Sequence, residues 1–191
     1  KNKKGELVCK KPFPSMPLKF WNDEGDKKYK KAYFTKYTNI WHHGDYAEVK
    51  DSGGFVIYGR SDTTLNPGGV KLGTAEIYSE VEKFDEIIEA LVVGQSWDND
   101  IRIILFVVLD TKYNLTEELI MKIKKQIKKN ASPRHVPYKI FPIKDIPRTK
   151  NGKIVELAVK QTIEGDQIKN LEALVNPESL NQFKNIKELY E

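Results

Sequence analysis

Three short stretches of the chain hold side chains whose types and spacing suit them to chemistry. In the first, His43-Gly44-Asp45 directly precedes a β-favouring run. A carboxylate at a strand edge accepts two hydrogen bonds at once, which the adjacent hydroxyls of a ribose would offer. Three residues alone equally describe a turn in which Asp45 caps backbone amides. The second stretch is Gly59-Arg60-Ser61-Asp62, followed by Leu65-Asn66-Pro67-Gly68-Gly69-Val70-Lys71-Leu72-Gly73-Thr74-Ala75-Glu76-Ile77. It combines a charged pair at a strand exit, a glycine-dense loop, a further cation and a helix start. Glycine lets a ligand approach the backbone closely, and Arg60 and Lys71 are cationic donors suited to hydroxyls or phosphate. A plain connector with an Arg60–Asp62 surface pair, worth ~0–1 kcal/mol, leaves the density of glycine unexplained. In the third stretch, Ile146-Pro147-Arg148-Thr149-Lys150-Asn151-Gly152-Lys153, Lys153 follows a tight Asn-Gly turn and opens an apolar-periodic segment. That setting aims an ammonium outward from a rigid base, and one preorganised donor is worth ~3–4 kcal/mol in phosphoryl or acyl chemistry. A lysine on a surface turn is the plain alternative.

The elements that must position these groups fall into two zones. From Lys1 to about Tyr58 the chain is rich in Pro, Gly, Lys and aromatic residues with little helical periodicity, so loops and strands are predicted. Tyr46–Lys50 and Phe55–Tyr58 read as strands joined by Asp51-Ser52-Gly53-Gly54, whose glycines can adopt positive φ. From Thr63 onward helical and strand patterns alternate. Ile77, Val81 and Phe84 give helical spacing across Thr74–Phe84, while Ile87–Val93 and Ile101–Leu109 read as buried strands. Leu115, Leu119, Ile123 and Ile127 form one apolar stripe. Thr116 stands at its N-cap, Glu117 and Glu118 at its start, and Lys122, Lys124, Lys125, Lys128 and Lys129 lie on its solvated flank. Tyr138–Ile143 reads as a strand, Ile154–Ile163 as a helix opened by Gly152-Lys153, and the stretch after Gly165 as a mildly polar tail. The predicted class is α+β, a small sheet flanked by helices.

Composition bounds the function. In 191 residues, 32 Lys and Arg face 27 Asp and Glu, a net charge of +5. The hydrophobic fraction of 39% supplies a core and excludes disorder of the whole chain. The basic excess invites a nucleic-acid reading, but the lysine-rich stretch is better read as a solvated helix face, since acidic residues are scattered throughout and no aromatic-basic recognition motif is present. The single cysteine, Cys9, allows no intramolecular disulfide or zinc site and fits a reducing compartment. Ile103–Leu109, the longest apolar run, is too short to span a bilayer. Cys9, His42, His43 and His135 read as structural or solvent-exposed. A start at Lys1-Asn2-Lys3-Lys4 rather than Met suggests a cytoplasmic piece of a longer protein.

In this order and at this separation the three stretches resemble the C-terminal part of the adenylate-forming superfamily: acyl-CoA synthetases, luciferases and peptide-synthetase adenylation domains. Gly59–Ile77 is similar to the family's hinge and glycine loop, and Pro147–Lys153 to its terminal Pro-x-x-x-x-Gly-Lys motif. The likeness runs from about Gly44 to Lys160 without a large gap. Phe20-Trp21-Asn22-Asp23, Trp41-His42-His43-Gly44-Asp45, Ser132-Pro133-Arg134-His135-Val136-Pro137 and Ala173-Leu174-Val175-Asn176-Pro177-Glu178-Ser179-Leu180 further resemble a member that activates acetoacetate.

The resemblance implies a small C-terminal lid domain over residues 61–191, hinged at 60–63 and extended by a polar tail from about 165. Residues 1–60 would be the β-rich end of a large N-terminal domain. It implies a two-step ligase in which acetoacetate and ATP give an acyl-adenylate and pyrophosphate, and CoA then displaces AMP. On that basis Asp45 holds the ribose hydroxyls, Arg60 also contacts the nucleotide, and Asp62 is the hinge. Gly68 and Gly69 line the tunnel for the pantetheine arm. Lys71 stands where many relatives have arginine near the phosphate, keeping charge but losing bidentate geometry. Lys128 lies near the CoA nucleotide, and Lys153 bridges carboxylate and α-phosphate. The implied partners are acetoacetate, ATP, CoA and the missing N-terminal domain, which would supply Mg²⁺. No metal site, nucleic acid or membrane insertion is expected of this chain, and alone it is expected to be inactive. Another short-chain acyl-CoA synthetase, or a basic non-catalytic module for a polyanionic partner, remains an alternative.

Overall fold

A computed structural model describes residues 1–168 and 170–191, and in it Lys1–Asp62 and Thr63–Glu191 form separate units. The first unit is an antiparallel sheet of β1 (Lys4–Cys9), β2 (Trp41–Val49) and β3 (Phe55–Arg60), in that order. The expected turn joins β2 to β3, with Gly53 at φ +86°. Between β1 and β2 lies a short helix, α1 (Lys27–Tyr33), where loops and strands are predicted. Aromatic packing explains it. Tyr29 and Tyr33, one turn apart, both face Trp41, and the Tyr33 ring stacks on the indole at 3.7 Å. Phe20 meets both tyrosines edge-on. The Asp23 carboxylate accepts the Lys28 and Tyr29 amides, each at 2.8 Å, at the start of the helix where amides lack partners. Loss of hydration raises the Asp23 pKa, but these two amides together with the charges of Lys28 and Lys27 outweigh it and hold the carboxyl below its ordinary value.

In the second unit β4 (Ile87–Trp97) and β5 (Asp100–Leu109) form a hairpin, and β6 (Lys139–Pro142) pairs parallel to β5 in the order β4-β5-β6. The hairpin outruns the predicted strands because Asp98 and Asn99, both at positive φ, make a tight turn at its tip. Both faces of the sheet are covered. Ile103, Leu105 and Val107 point to one core with α2 (Thr74–Val81) and α3 (Glu117–Asn130), while Ile104 and Phe106 point to a second with α4 (Glu156–Glu164). A strand buried on both faces reads as a continuous apolar run, which is why β5 is so plain in the sequence. Helix α3 follows its pattern: Leu119, Ile123 and Ile127 are buried, Thr116 Oγ1 accepts the Leu119 amide, and Lys122 pairs with Glu118 at 2.7 Å.

Three predicted elements differ in detail. Helix α2 ends at Val81, and Phe84 packs on the core from the loop beyond it. Helix α4 starts at Glu156, so Lys153 precedes the helix on a turn. The tail after Gly165 is a structural part of the domain: Leu174, Leu180, Phe183 and Leu189 fill the second core from 3₁₀ turns and short extended links, and Phe183 meets Phe106 edge-on at 4.9 Å. The α+β class holds, with a small sheet flanked by helices in this unit. Among the described residues no helix is long and apolar enough to cross a membrane.

Candidate functional site

In the first unit, strand register brings Asp45 and Arg60 together as cross-strand partners. Next to them β3 holds a bulge, with Tyr58 as the extra residue and Gly59 at φ +123°, which re-aims the strand exit. The Arg60 guanidinium then lies between two carboxylates, Nη1 at 3.6 Å from Asp45 Oδ1 and Nε at 3.4 Å from Asp62 Oδ1. His43 Nε2 is 3.3 Å from Asp45 Oδ2. Gly44, at φ +88°, makes the close approach possible: a Cβ there would stand 2.8 Å from Arg60 Nη2. Asp45 is 22% exposed and Arg60 55%, so the cluster presents a carboxylate and a cation side by side at the strand end. Such a pair can accept from hydroxyls and donate to an anionic group at the same time.

In the second unit, reciprocal backbone bonds between the buried Leu65 and Leu72, at 3.0 and 2.8 Å, close the glycine loop. Gly68 and Gly69 lie at φ +57° and +76°. The Gly68 amide donates to both oxygens of Asp100, at 2.8 and 3.0 Å, tying the loop to the β4–β5 turn. The amides of Ile101 and Gly68 hold the Asp100 carboxyl below its ordinary value. Nothing lies within 4 Å of where a Gly69 Cβ would be, and an open groove of about 630 Å³ beside it is lined by Asn66, Gly69, Trp97, Asp98 and Asn99. Backbone facing open space suits the passage of a long thin ligand arm. Lys71, on the same loop, is half-buried, whereas Lys128, in the last turn of α3, is exposed.

Three neighbours of the loop escape sequence reasoning. Asp100 holds it, the Arg134 guanidinium lies 3.3 Å from the place of a Gly68 Cβ, and Glu76 Oε2 accepts the Gly73 amide. Buried His135 joins that last group, with Nδ1 2.8 Å from Ser132 Oγ and Nε2 3.4 Å from Glu76 Oε2. A helix start and the Ser-Pro dipeptide are visible in the sequence, but the convergence of these groups on one loop is not.

Lys153 is exposed at the base of a small antiparallel turn. The turn is closed by Thr149 N–H to Lys153 O at 2.9 Å, Gly152 N–H to Thr149 O at 2.8 Å, and pairing of Arg148 with Ile154. Arg148 braces it, donating to Gly152 O at 3.0 Å and pairing with Glu89 of β4. A fastened backbone with an exposed ammonium is the arrangement a preorganised donor requires. Of the predicted site residues, the fold brings together Asp45, Arg60 and Asp62 in the first unit, and Gly68 and Gly69 around Asp100 in the second. Lys128 and Lys153 stand on separate elements of the second unit. Among the described residues no group of three or more His, Cys, Asp or Glu side chains is placed to hold a metal ion.

The model for the AMP-binding enzyme C-terminal domain matches residues 76–153. The chain is 57% identical over 189 residues to the acetoacetyl-coenzyme A synthetase of Rhizobium meliloti (strain 1021), covering 99% of this chain and 29% of that protein. Against the acetoacetyl-CoA synthetase of Xenopus tropicalis it is 50% identical over 187 residues, covering 97% and 28%. The structure of the acetoacetyl-CoA synthetase from Streptomyces lividans superposes with a TM-score of 0.90 at 37% identity, covering 100% of this chain and 29% of that one. This chain thus spans less than a third of the length of each. With the domain model ending on Lys153 and likeness to these proteins running through both units, residues 76–153 belong to the AMP-binding enzyme C-terminal domains and the chain as a whole is similar to part of the acetoacetyl-CoA synthetases.

Proposed function

We propose that this chain is the C-terminal part of an AMP-forming ligase that activates acetoacetate as an acyl-adenylate and transfers it to CoA. The observation behind the reaction class is the setting of Lys153, an exposed cation on a fastened turn rather than a lysine packed into either core. The choice of acetoacetate rests on the similarity to proteins of that name.

In this reading Lys153 stands between the acyl carboxylate and the α-phosphate, where charge spreads over phosphorus and carboxylate oxygens during attack. Asp45 accepts from the ribose hydroxyls, and Arg60, steadied between Asp45 and Asp62, donates to the nucleotide. Lys71 adds charge near the phosphate. Residues 1–60 end the large domain and 61–191 form the lid. A swivel at 60–63 about Asp62 exchanges the Lys153 turn for the glycine loop, where Gly68 and Gly69 admit the pantetheine arm and Lys128 meets the CoA nucleotide. The division into units between Asp62 and Thr63 supports the hinge position. Any Mg²⁺ accompanying ATP is held outside this chain, in a cytoplasmic enzyme whose remaining domain supplies the acyl pocket.

The test uses the full-length protein. Acetoacetate should drive ATP–pyrophosphate exchange, and Lys153→Ala should lower it about 100-fold or more while sparing thioester formation from supplied adenylate. Equal loss in both half-reactions would contradict the role of Lys153. Exchange driven only by another short-chain acid would reassign the substrate.

A further inference from the structure

The turn bearing Lys153 is held by a segment well downstream of it. Lys150 N–H donates to Ala173 O at 3.1 Å, Val175 N–H donates to Arg148 O at 2.9 Å, and Thr149 pairs with Leu174. Asn176 adds three bonds. Its Oδ1 accepts the Arg148 amide at 2.9 Å, and its Nδ2 donates to Ile146 O at 2.9 Å and to Asp145 Oδ2 at 2.5 Å. Gln182 extends the seam, accepting the Lys144 amide at 2.8 Å and donating to Asp145 O at 2.7 Å. Backbone groups of Lys144, Asp145, Ile146, Arg148 and Lys150 thus find their partners in this later segment.

The segment has firm anchors of its own. Leu174, Leu180 and Phe183 are buried in the second core, and Ser179 Oγ donates to Asn176 O at 2.7 Å, fixing the backbone of Asn176. Further along, Arg102 and Gln95 both donate to Leu189 O. Truncating Asn176 would leave the Arg148 amide and the Ile146 carbonyl without their partner, directly beneath the turn.

We propose that residues 173–182 form a clamp that sets where Lys153 stands, with Asn176 as its positioning residue, an inference that rests on the adenylation role proposed for Lys153. Displacement of a reacting group by about 1 Å can cost up to 10²-fold in rate, so partial loosening of the turn acts on chemistry before it acts on folding.

The experiment compares half-reactions of the full-length protein. Asn176→Ala should lower the rate of acetoacetate-dependent ATP–pyrophosphate exchange about tenfold. KM for ATP and thioester formation from supplied acetoacetyl-adenylate should stay within about twofold, and the change should add nothing further in a Lys153→Ala background. Equal loss in both half-reactions, or a full additional loss in the double variant, overturns the clamp. Amide hydrogen exchange gives a second measurement on the same variant. Exchange at Thr149–Lys153 should quicken while β4 and β5 keep their protection, and unchanged exchange in the turn overturns the proposal even if activity falls. Gln182→Ala, which cuts only the outer bonds, should give a smaller effect of the same kind. Should Lys153→Ala leave pyrophosphate exchange intact, the reading of Lys153 fails, and the amide measurement still decides whether the clamp holds the turn.

Discussion

The side chains proposed to do chemistry are placed by small backbone choices. Gly44 is the plainest case, because its φ of +88° strains any β-carbon and a β-carbon there would also have to displace the Arg60 guanidinium. Gly44→Ala should cost about 1–3 kcal/mol from backbone strain, read as a lower urea midpoint, and should push Arg60 away from Asp45. In the full-length protein nucleotide affinity should fall with it. Wild-type stability would show that the strand end relaxes without penalty. Arg60 and Asp62 were legible as a charged pair at a strand exit and Asp45 as a carboxylate ahead of a strand; β2 in fact begins at Trp41, so Asp45 lies within it, and its register on β3 supplies what sequence could not: a single guanidinium shared by two carboxylates. Asp100 was illegible because its partner Gly68 lies 32 residues away, and a contact of that range leaves no local pattern.

Among the elements, the tip of the glycine loop is tied down by one carboxylate at the start of β5. The Ile101 and Gly68 amides favour ionised Asp100, so its folded-state pKa lies below the unfolded value of about 3.9. The stabilisation is therefore complete above that unfolded value and is lost as pH falls through the lower, folded one. An NMR titration should show the Gly68 amide following this group, with a midpoint below about 3.9. At neutral pH Asp100→Asn should speed exchange of the Gly68 amide, and an unaltered amide would mean that the loop holds itself. Legibility varied with what stabilises each element. Helix α3 announced itself through one apolar stripe and a capping threonine, and β5 through an unbroken apolar run. Helix α1 did not, since seven residues held by Asp23 and a nest of aromatic rings have no aliphatic periodicity. The tail hid for a related reason: Leu174, Leu180, Phe183 and Leu189 reach the core from 3₁₀ turns and short links, whose spacing matches neither a strand nor an α-helix.

For the whole molecule, covering both faces of one sheet makes the last residues structural. Phe183 is 1% exposed and packs on Phe106, so Phe183→Ala should destabilise the second unit by about 3–5 kcal/mol in urea denaturation. A change under about 1 kcal/mol would show that the tail is dispensable packing. In the proposed reading activity needs the large domain as well, so the 191-residue chain mixed with ATP, acetoacetate and CoA should release no pyrophosphate above blank. Clear turnover would refute the proposed division of labour between this stretch and a large domain. The order of synthesis gives the clamp a further meaning. Its residues leave the ribosome after the lysine they secure, so a nascent chain first displays that amine on a loose loop. A chain cut ahead of Leu174 would keep the amine but lose the backbone partners of its turn, so under the proposed role of Lys153 a lesion there would silence activation without touching the lysine itself.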